Sequence, residues 1–235
     1  MKLWIIYPKR FETNGSKSPY KMLKAAMENN ICSEIMYLEY FRIVKEGKTE
    51  ILYYKENIVK DYPTLVIFRC YKEDVMKYFE EKGSKVVNGF NGTHTIRDKY
   101  KTHLLIEKLG IKQPKFLNGS VNDFDYISKY LGIPFVMKNN TGAKGENVYL
   151  VKSKQEYENI LNNHLNINFM YQEYIKESKG SDYRLYIVGD EVVGCVNRVS
   201  ADDDFRANIS QGGKGLACDL PHDIKMQSLL IAKTL

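Results

Sequence analysis

Apolar positions fall in short blocks along the chain, and their spacing switches between continuous runs and helical faces. Leu3-Trp4-Ile5-Ile6-Tyr7 is a short apolar strand within 2–7, and Leu65-Val66-Ile67-Phe68 is a continuous run of the kind a strand buried on both faces carries. Between them, Ser18-Pro19 predicts a helix start, with Ser at the N-cap and Pro at the first position, followed by Met22, Leu23, Ala26 and Met27 on one face. A strand near 34–38 leads into a hairpin over 41–54 around Glu46-Gly47-Lys48. Residues 72–82 predict a helix with Val75, Met76 and Phe79 inward, closed by Gly83, and Val86-Val87 a short strand. Strands and helices alternating in this way imply an open parallel sheet with helices on both faces.

Asn88-Gly89 and Asn91-Gly92 form a turn cluster and the best domain boundary. Beyond it an amphipathic helix is predicted over 97–109 (Tyr100, Leu104, Leu105, Leu109), then a strand at 114–117, a helix at 122–131 and a strand at 134–138. A glycine-bearing stretch, 139–145, leads to a strand at 147–151, and Ser153-Lys154-Gln155-Glu156 is a capping box opening a helix to about 163. Strands follow at 168–175, 183–188 and 191–199, then a polar loop over 200–215 and a helix from Pro221. Leu235 falls inside the apolar pattern of that helix, with no glycine, asparagine or proline to end it. The chain therefore reads as cut short, though a native terminus can also end so.

Composition narrows the classes. Of 235 residues, 43% are hydrophobic and 27% charged, an ordinary globular balance, and no apolar run is long enough for a bilayer or a secretory signal. This points to a cytoplasmic protein with no membrane partner. Cys32, Cys70, Cys195 and Cys218 form no Cys-x-x-Cys pair and no cluster with the four histidines, so they read as reduced and buried rather than as a zinc site or disulfide framework. The net charge of +6 is spread and mostly lysine, which argues against a nucleic-acid partner. Arginine is distributed differently: after Arg97 only Arg184, Arg198 and Arg206 occur, against fifteen lysines over the same stretch. A forked guanidinium is favoured where phosphate or carboxylate must be gripped, although an ion pair with Asp182 or with Asp202–Asp204 is the plainer reading.

Four features could carry chemistry. Lys138 ends the apolar strand Pro134-Phe135-Val136-Met137-Lys138, where its ammonium could meet a phosphate or simply reach water. Thr141-Gly142-Ala143-Lys144-Gly145 could bring backbone N–H groups to phosphate oxygens or be a hairpin turn; its spacing is not that of a Walker loop. Met170-Tyr171-Gln172-Glu173-Tyr174-Ile175 alternates and then breaks, which would expose backbone groups to a purine edge, unless it is an edge strand. Asp182-Tyr183-Arg184, Asn197-Arg198 and Phe205-Arg206-Ala207-Asn208 gather forked cations and amides around one polar loop, a set suited to an anionic ligand.

In this order, these features resemble the ATP-grasp superfamily, in particular its RimK-like amino-acid ligases, and the resemblance extends back to Arg97-Asp98-Lys99 and the N-terminal third. It implies a mixed α/β and α+β architecture: a pre-ATP-grasp domain with an open parallel sheet over 1–92, a central ATP-grasp lobe over 93–175, and a second, incomplete lobe over 176–235. It implies that Lys99 and Lys138 contact the phosphates of ATP and that Thr141, Gly142, Lys144 and Gly145 belong to a mobile loop over them. Gln172, Glu173, Tyr174 and Ile175 would form the adenine hinge, and Asp182 would hold ribose or order the site, with Arg184 also on the nucleotide side. Arg206, Asn208 and Arg198 would face the γ-phosphate and the acyl group, with Arg69 a further acyl-side candidate. The implied reaction joins a carboxylate of an amino-acid or peptide substrate to an amine donor through an acylphosphate, and the implied assembly is a homo-oligomer. The family's Mg2+ ligands, an Asp and a Glu-x-Asn, find no match before Leu235 and are expected beyond residue 235. A nucleotide-binding or regulatory module without turnover is the alternative.

Overall fold

The computed structural model describes residues 1–143, 145–200, 207 and 212–235. They form two units, Met1–His94 and Thr95–Leu235.

In the first unit, β1 (Lys2–Tyr7) leads through the short α1 (Arg10–Thr13) and α2 (Ser18–Glu28) to β2 (Cys32–Tyr37). An antiparallel trio follows, β3 (Phe41–Glu46), β4 (Thr49–Tyr54) and β5 (Asn57–Ile58), then β6 (Leu65–Phe68), α3 (Glu73–Glu81) and β7 (Lys85–Val87). The main sheet is parallel throughout, in the order β2-β1-β6-β7. Alternation along β1 divides its side chains between two cores. Trp4 and Ile6 pack with Val75, Met76 and Phe79 of α3 and with Phe41 and Leu52 of the antiparallel trio. Leu3, Ile5 and Tyr7 pack on the opposite face with Ala26 of α2. Helices thus cover both faces, as the continuous apolar runs require.

Three local expectations are corrected here. Ser18 is not the N-cap of α2: Lys17 occupies that position without a side-chain cap, and Ser18 Oγ instead lies 3.0 Å from the Tyr7 hydroxyl. Asn91-Gly92 is not a turn but lies within α4 (Phe90–Arg97). There the buried Phe90 ring and its N–H, donated to Glu80 Oε1 at 2.7 Å, outweigh the roughly 1 kcal/mol that glycine costs a helix. The division between the two units falls within this helix. The cysteines are not uniformly buried: Cys195 is, but Cys32 is exposed because it opens the edge strand β2.

In the second unit α5 (Lys99–Lys108) is capped by Asp98, whose side chain accepts from the Lys101 N–H, so the helix expected from 97 starts at Lys99. Then come β8 (Phe116–Asn118), α6 (Phe124–Leu131), β9 (Phe135–Asn139), β10 (Val148–Val151), α7 (Lys154–Asn163) and β11 (Phe169–Glu173). The Ser153 hydroxyl accepts from the Glu156 N–H at the start of α7, as the capping box predicts. The four strands form an antiparallel sheet in the order β10-β9-β11-β8. Phe135, Met137, Val151, Phe169 and Tyr171 point to one face and pack with Ile127, Leu131 and Tyr157 of the covering helices. By the two-residue period, Val136, Lys138, Val148, Leu150, Met170 and Gln172 occupy the other face. β11 is therefore an interior strand, not an edge. Where β8 runs out beside it, Gly119 is obligatory, since a Cβ there would lie 1.7 Å from the Phe169 carbonyl oxygen.

A second antiparallel sheet has the order β12 (Ser181–Val188), β13 (Glu191–Val199), β14 (Lys214–Ala217), and α8 (His222–Thr234) lies against its first two strands. β14 corrects the loop expected over 200–215: pairing of Val196 with Ala217 and Arg198 with Gly215 overrides the weak strand propensity of Lys214-Gly215. Among the described residues no helix is long and apolar enough to cross a membrane.

Candidate functional site

The second face of the β10-β9-β11-β8 sheet, against which His103 of α5 rests, gathers several of the expected side chains. Lys138 and Gln172 stand diagonally on neighbouring strands, two register positions apart, and Lys138 Nζ donates to Gln172 Oε1. Gln172 Oε1 also meets His103 Nε2 of α5 at 3.2 Å. The imidazole stacks on Phe116 with 4.7 Å between ring centroids, and its Nδ1 lies 2.7 Å from Gln113 Oε1. Burial, then the nearby Lys99 charge, brings Lys138 down to about 8. A lysine held this way keeps its charge at neutral pH only at a cost, which a bound anion would offset.

Lys99 opens α5 and reaches the turn between β9 and β10. Its Nζ donates to the carbonyl oxygens of Asn139 at 2.8 Å and Gly142 at 2.5 Å, with Asn140 O at 3.4 Å, and burial pushes its pKa below the ordinary lysine value. The turn is pinned from a second direction by the buried Asn140, whose Oδ1 accepts from Tyr100 N–H at 2.8 Å and whose O accepts from Lys99 N–H. Thr141 N–H donates to Asn139 Oδ1 at 3.1 Å, and Gly145 adopts a left-handed φ of 79°. Lys144 lies outside the described residues.

The residues expected to form the hinge lie at the other end of the sheet. Glu173 is the last residue of β11; its N–H donates to Lys115 O at 2.9 Å and its carboxylate accepts from Lys115 N–H at 3.0 Å. Its side chain is thus committed to the approach of β8. Tyr174 follows, and the Ile175 carbonyl accepts from Ser178 N–H at 3.2 Å. A cavity of about 1170 Å³ opens here, walled by Val148 and Leu150 of β10, Ile133 and Pro134, Glu173 and Tyr174, and flanked by Lys176 and Lys179. The length of β9 separates this end from the glycine turn, about 13 Å at the strand rise per residue.

The remaining candidates lie on the second sheet. Arg198 of β13 grips Asp182 of β12 with two bonds, Nε to Oδ1 and Nη2 to Oδ2, both 2.6 Å. Arg184 lies exposed on β12, two residues from Asp182. Arg206 and Asn208 lie outside the described residues, as do Asp202–Asp204. Arg69 follows β6 in the first unit, is exposed, and donates its N–H to Ile6 O at 2.8 Å. The sequence reading missed His103, Gln113 and Asn140. Lys99 and His103 are four residues apart on one helix, a spacing that puts them on the same face and could have flagged the histidine.

Residues 96–235 match the RimK-like ATP-grasp domain. The chain belongs to that family. A probable alpha-L-glutamate ligase of Legionella pneumophila (strain Corby) is 32% identical over 169 residues, covering 70% of this chain and 56% of the relative. The chain thus spans little more than half of that relative's length. Among solved structures, a RimK domain ATP-grasp protein from Sphaerobacter thermophilus DSM 20745 superposes with a TM-score of 0.71 at 13% identity, covering 99% of this chain and 81% of that one. The ATP-grasp ligase PsnB, complexed with minimal precursor, Mg and ADP, gives 0.69 at 13% identity, with coverage of 98% and 80%. The mixed α/β architecture of this chain is therefore the ATP-grasp fold.

Proposed function

We propose that this chain carries the nucleotide-binding core of an ATP-dependent carboxylate–amine ligase. The observation that carries the reading is Lys138: a mostly buried ammonium on the second face of the sheet, held by a neutral carbonyl oxygen and set beside a lysine-braced glycine turn. ATP would lie along β9, its base toward the cavity at Glu173-Tyr174-Ile175 and its phosphates toward Lys138, Lys99 and the Thr141–Gly145 turn. Cations fixed before the substrate arrives stabilise spreading phosphate charge without reorganising. The γ-phosphoryl group passes to a substrate carboxylate, giving an acylphosphate and ADP. An amine then attacks the acyl carbon and phosphate leaves, so the protein need supply no nucleophile. The alpha-L-glutamate ligase name of one relative and the precursor bound to PsnB favour an amino-acid or peptide carboxylate as acceptor and an amino acid as amine.

On the second sheet, the Asp182–Arg198 pair favours an ordering role for both side chains, with Arg184 next to it at the edge of the nucleotide space. Arg206 and Asn208 remain the proposed groups for the γ-phosphate and acyl side. Among the described residues no three His, Cys, Asp or Glu side chains come together as a metal site. Mg2+ takes as few as one or two carboxylates beside phosphates and waters, a smaller set than that.

The test is ADP release from the full chain, screened with amino acids and peptides as acceptors, beside calorimetric titration with ATP. Saturable ATP binding and acceptor-dependent ADP release are expected, both lost in Lys138→Ala. ATP binding without ADP release under any acceptor would leave a nucleotide-binding module, and no binding at all would end the reading.

A further inference from the structure

Gln172 is an amide whose two ends differ: its oxygen accepts and its nitrogen donates. Only the first orientation suits Lys138, because an ammonium facing an NH2 group meets two sets of donors. Lys138 alone is a poor guarantor of that orientation, since it is also the group expected to turn toward a phosphate. His103 supplies the second contact. Its Nε2 meets the same Gln172 Oε1 at 3.2 Å, and since that oxygen has only lone pairs to offer, the ring nitrogen donates. Two further contacts hold the ring. Phe116 stacks on it with an interplanar angle of 20°, and Gln113 bridges Nδ1, at 2.7 Å from its Oε1, and the His103 carbonyl, at 2.9 Å from its Nε2.

We propose that His103 is a positioning residue of the nucleotide site, fixing the Gln172 amide with its oxygen toward Lys138 so that the ammonium stays aimed at the phosphate position and Gln172 stays satisfied when Lys138 engages an anion. The claim rests on the nucleotide reading of Lys138 but is separable from it, because the state of Lys138 can be read without nucleotide. The charge balance works against part of this geometry. Burial, with the Lys138 charge adding to it, holds the imidazole below the ordinary histidine value, while the two glutamine contacts pull the other way. Both ring nitrogens face amide oxygens, Gln172 Oε1 and Gln113 Oε1, so donating to both takes the protonated ring, the form those two contacts favour and burial beside Lys138 opposes.

Two substitutions separate the donor from the packing. His103→Phe keeps an aromatic ring against Phe116 and removes both donors; His103→Gln keeps a donor and loses the ring. In the full chain without nucleotide, the rate at which an acylating reagent modifies Lys138, read by peptide mass spectrometry, is expected to rise roughly fivefold in His103→Phe and to return toward wild type in His103→Gln. ADP affinity is expected to fall by a similar factor in the first and recover in the second. Gln172→Met removes the relay itself and should reproduce the His103→Phe labelling rate, with no further rise in the double variant. This keeps the test open if one variant folds poorly. Unchanged labelling and affinity in His103→Phe, or equal losses in His103→Phe and His103→Gln tracking their melting temperatures, would overturn the proposal. Labelling that responds as expected in a chain that takes up no nucleotide would uphold the role of His103 and refute the nucleotide reading instead.

Discussion

Lys138 and Arg198 are both cations carried on antiparallel strands of the same unit, yet they are held in opposite ways. Lys138 faces an uncharged carbonyl oxygen and feels a second lysine nearby, so its charge is uncompensated by the contacts that place it. Arg198, its side chain 13% exposed, is closed by a two-bond fork onto Asp182, which is 42% exposed. A paired guanidinium has little left to gain from an incoming anion unless Asp182 moves; an uncompensated ammonium has much to gain. On the proposed function, the difference separates a cation available to a ligand from one that ties two strands, and residue type alone would have ranked them the other way round.

The largest expected effect breaks the Lys138 side of this contrast. Lys138→Met should weaken ATP binding by roughly 100-fold, the scale of removing one preorganised electrostatic contact. It should also raise the melting temperature at neutral pH. A lysine with a folded-state pKa of about 8 against a reference of 10.5 is charged in both states below pH 8, where its burial is most costly, up to about 3 kcal/mol. That cost declines as pH rises through 8 and is gone above 10.5, so the gap between variant and wild type should close over that window. Calorimetric melts from pH 6 to about 10.5 check it. A lower melting temperature with ATP binding intact would make Lys138 structural.

The Arg198 side should respond in the opposite sense. Asp182→Ala leaves a mostly buried guanidinium without its carboxylate and is expected to cost about 2 kcal/mol, discounted because Asp182 is partly exposed. Arg198→Ala should cost less, and the double variant less than the sum by about 1 kcal/mol. Urea unfolding of the four proteins gives the coupling. Strict additivity would mean that the fork contributes nothing and would return Arg198 to the pool of ligand-directed cations.

The readability of these regions followed the physics that shapes them. The interior strands were legible because burial on both faces leaves continuous apolar runs, as at 65–68, and the end of β11 because alternation stops there. β14 was not legible: Lys214-Gly215-Leu216-Ala217 has no strand pattern, and only its partner β13 makes it one. α4 hid behind Asn91-Gly92 because what supports it, the core that Phe90 enters and the Glu80 contact, lies outside its own segment. In the site, Lys138 stood out by its place at a strand end, whereas the partners that decide its state, Gln172 and His103, are 34 and 35 residues away along the chain and meet it only through sheet register and helix packing.

The smallest expected effect asks which neighbour sets the state of Lys138. Burial is the larger cause of its depressed value and the Lys99 charge the smaller one. Lys99→Met should therefore move the titration of Lys138 only part of the way back toward 10.5, seen as a modest upward shift in the pH midpoint of its acylation rate. The same substitution removes the ammonium that bridges the carbonyls of Asn139 and Gly142, so amide exchange across 139–142 should speed up, with about 1 kcal/mol lost locally. The two readouts separate the roles of one side chain. Faster exchange with an unmoved midpoint makes Lys99 a brace for the glycine turn alone, whereas a midpoint that returns fully to the ordinary lysine value makes its charge, not burial, the reason the Lys138 value is depressed.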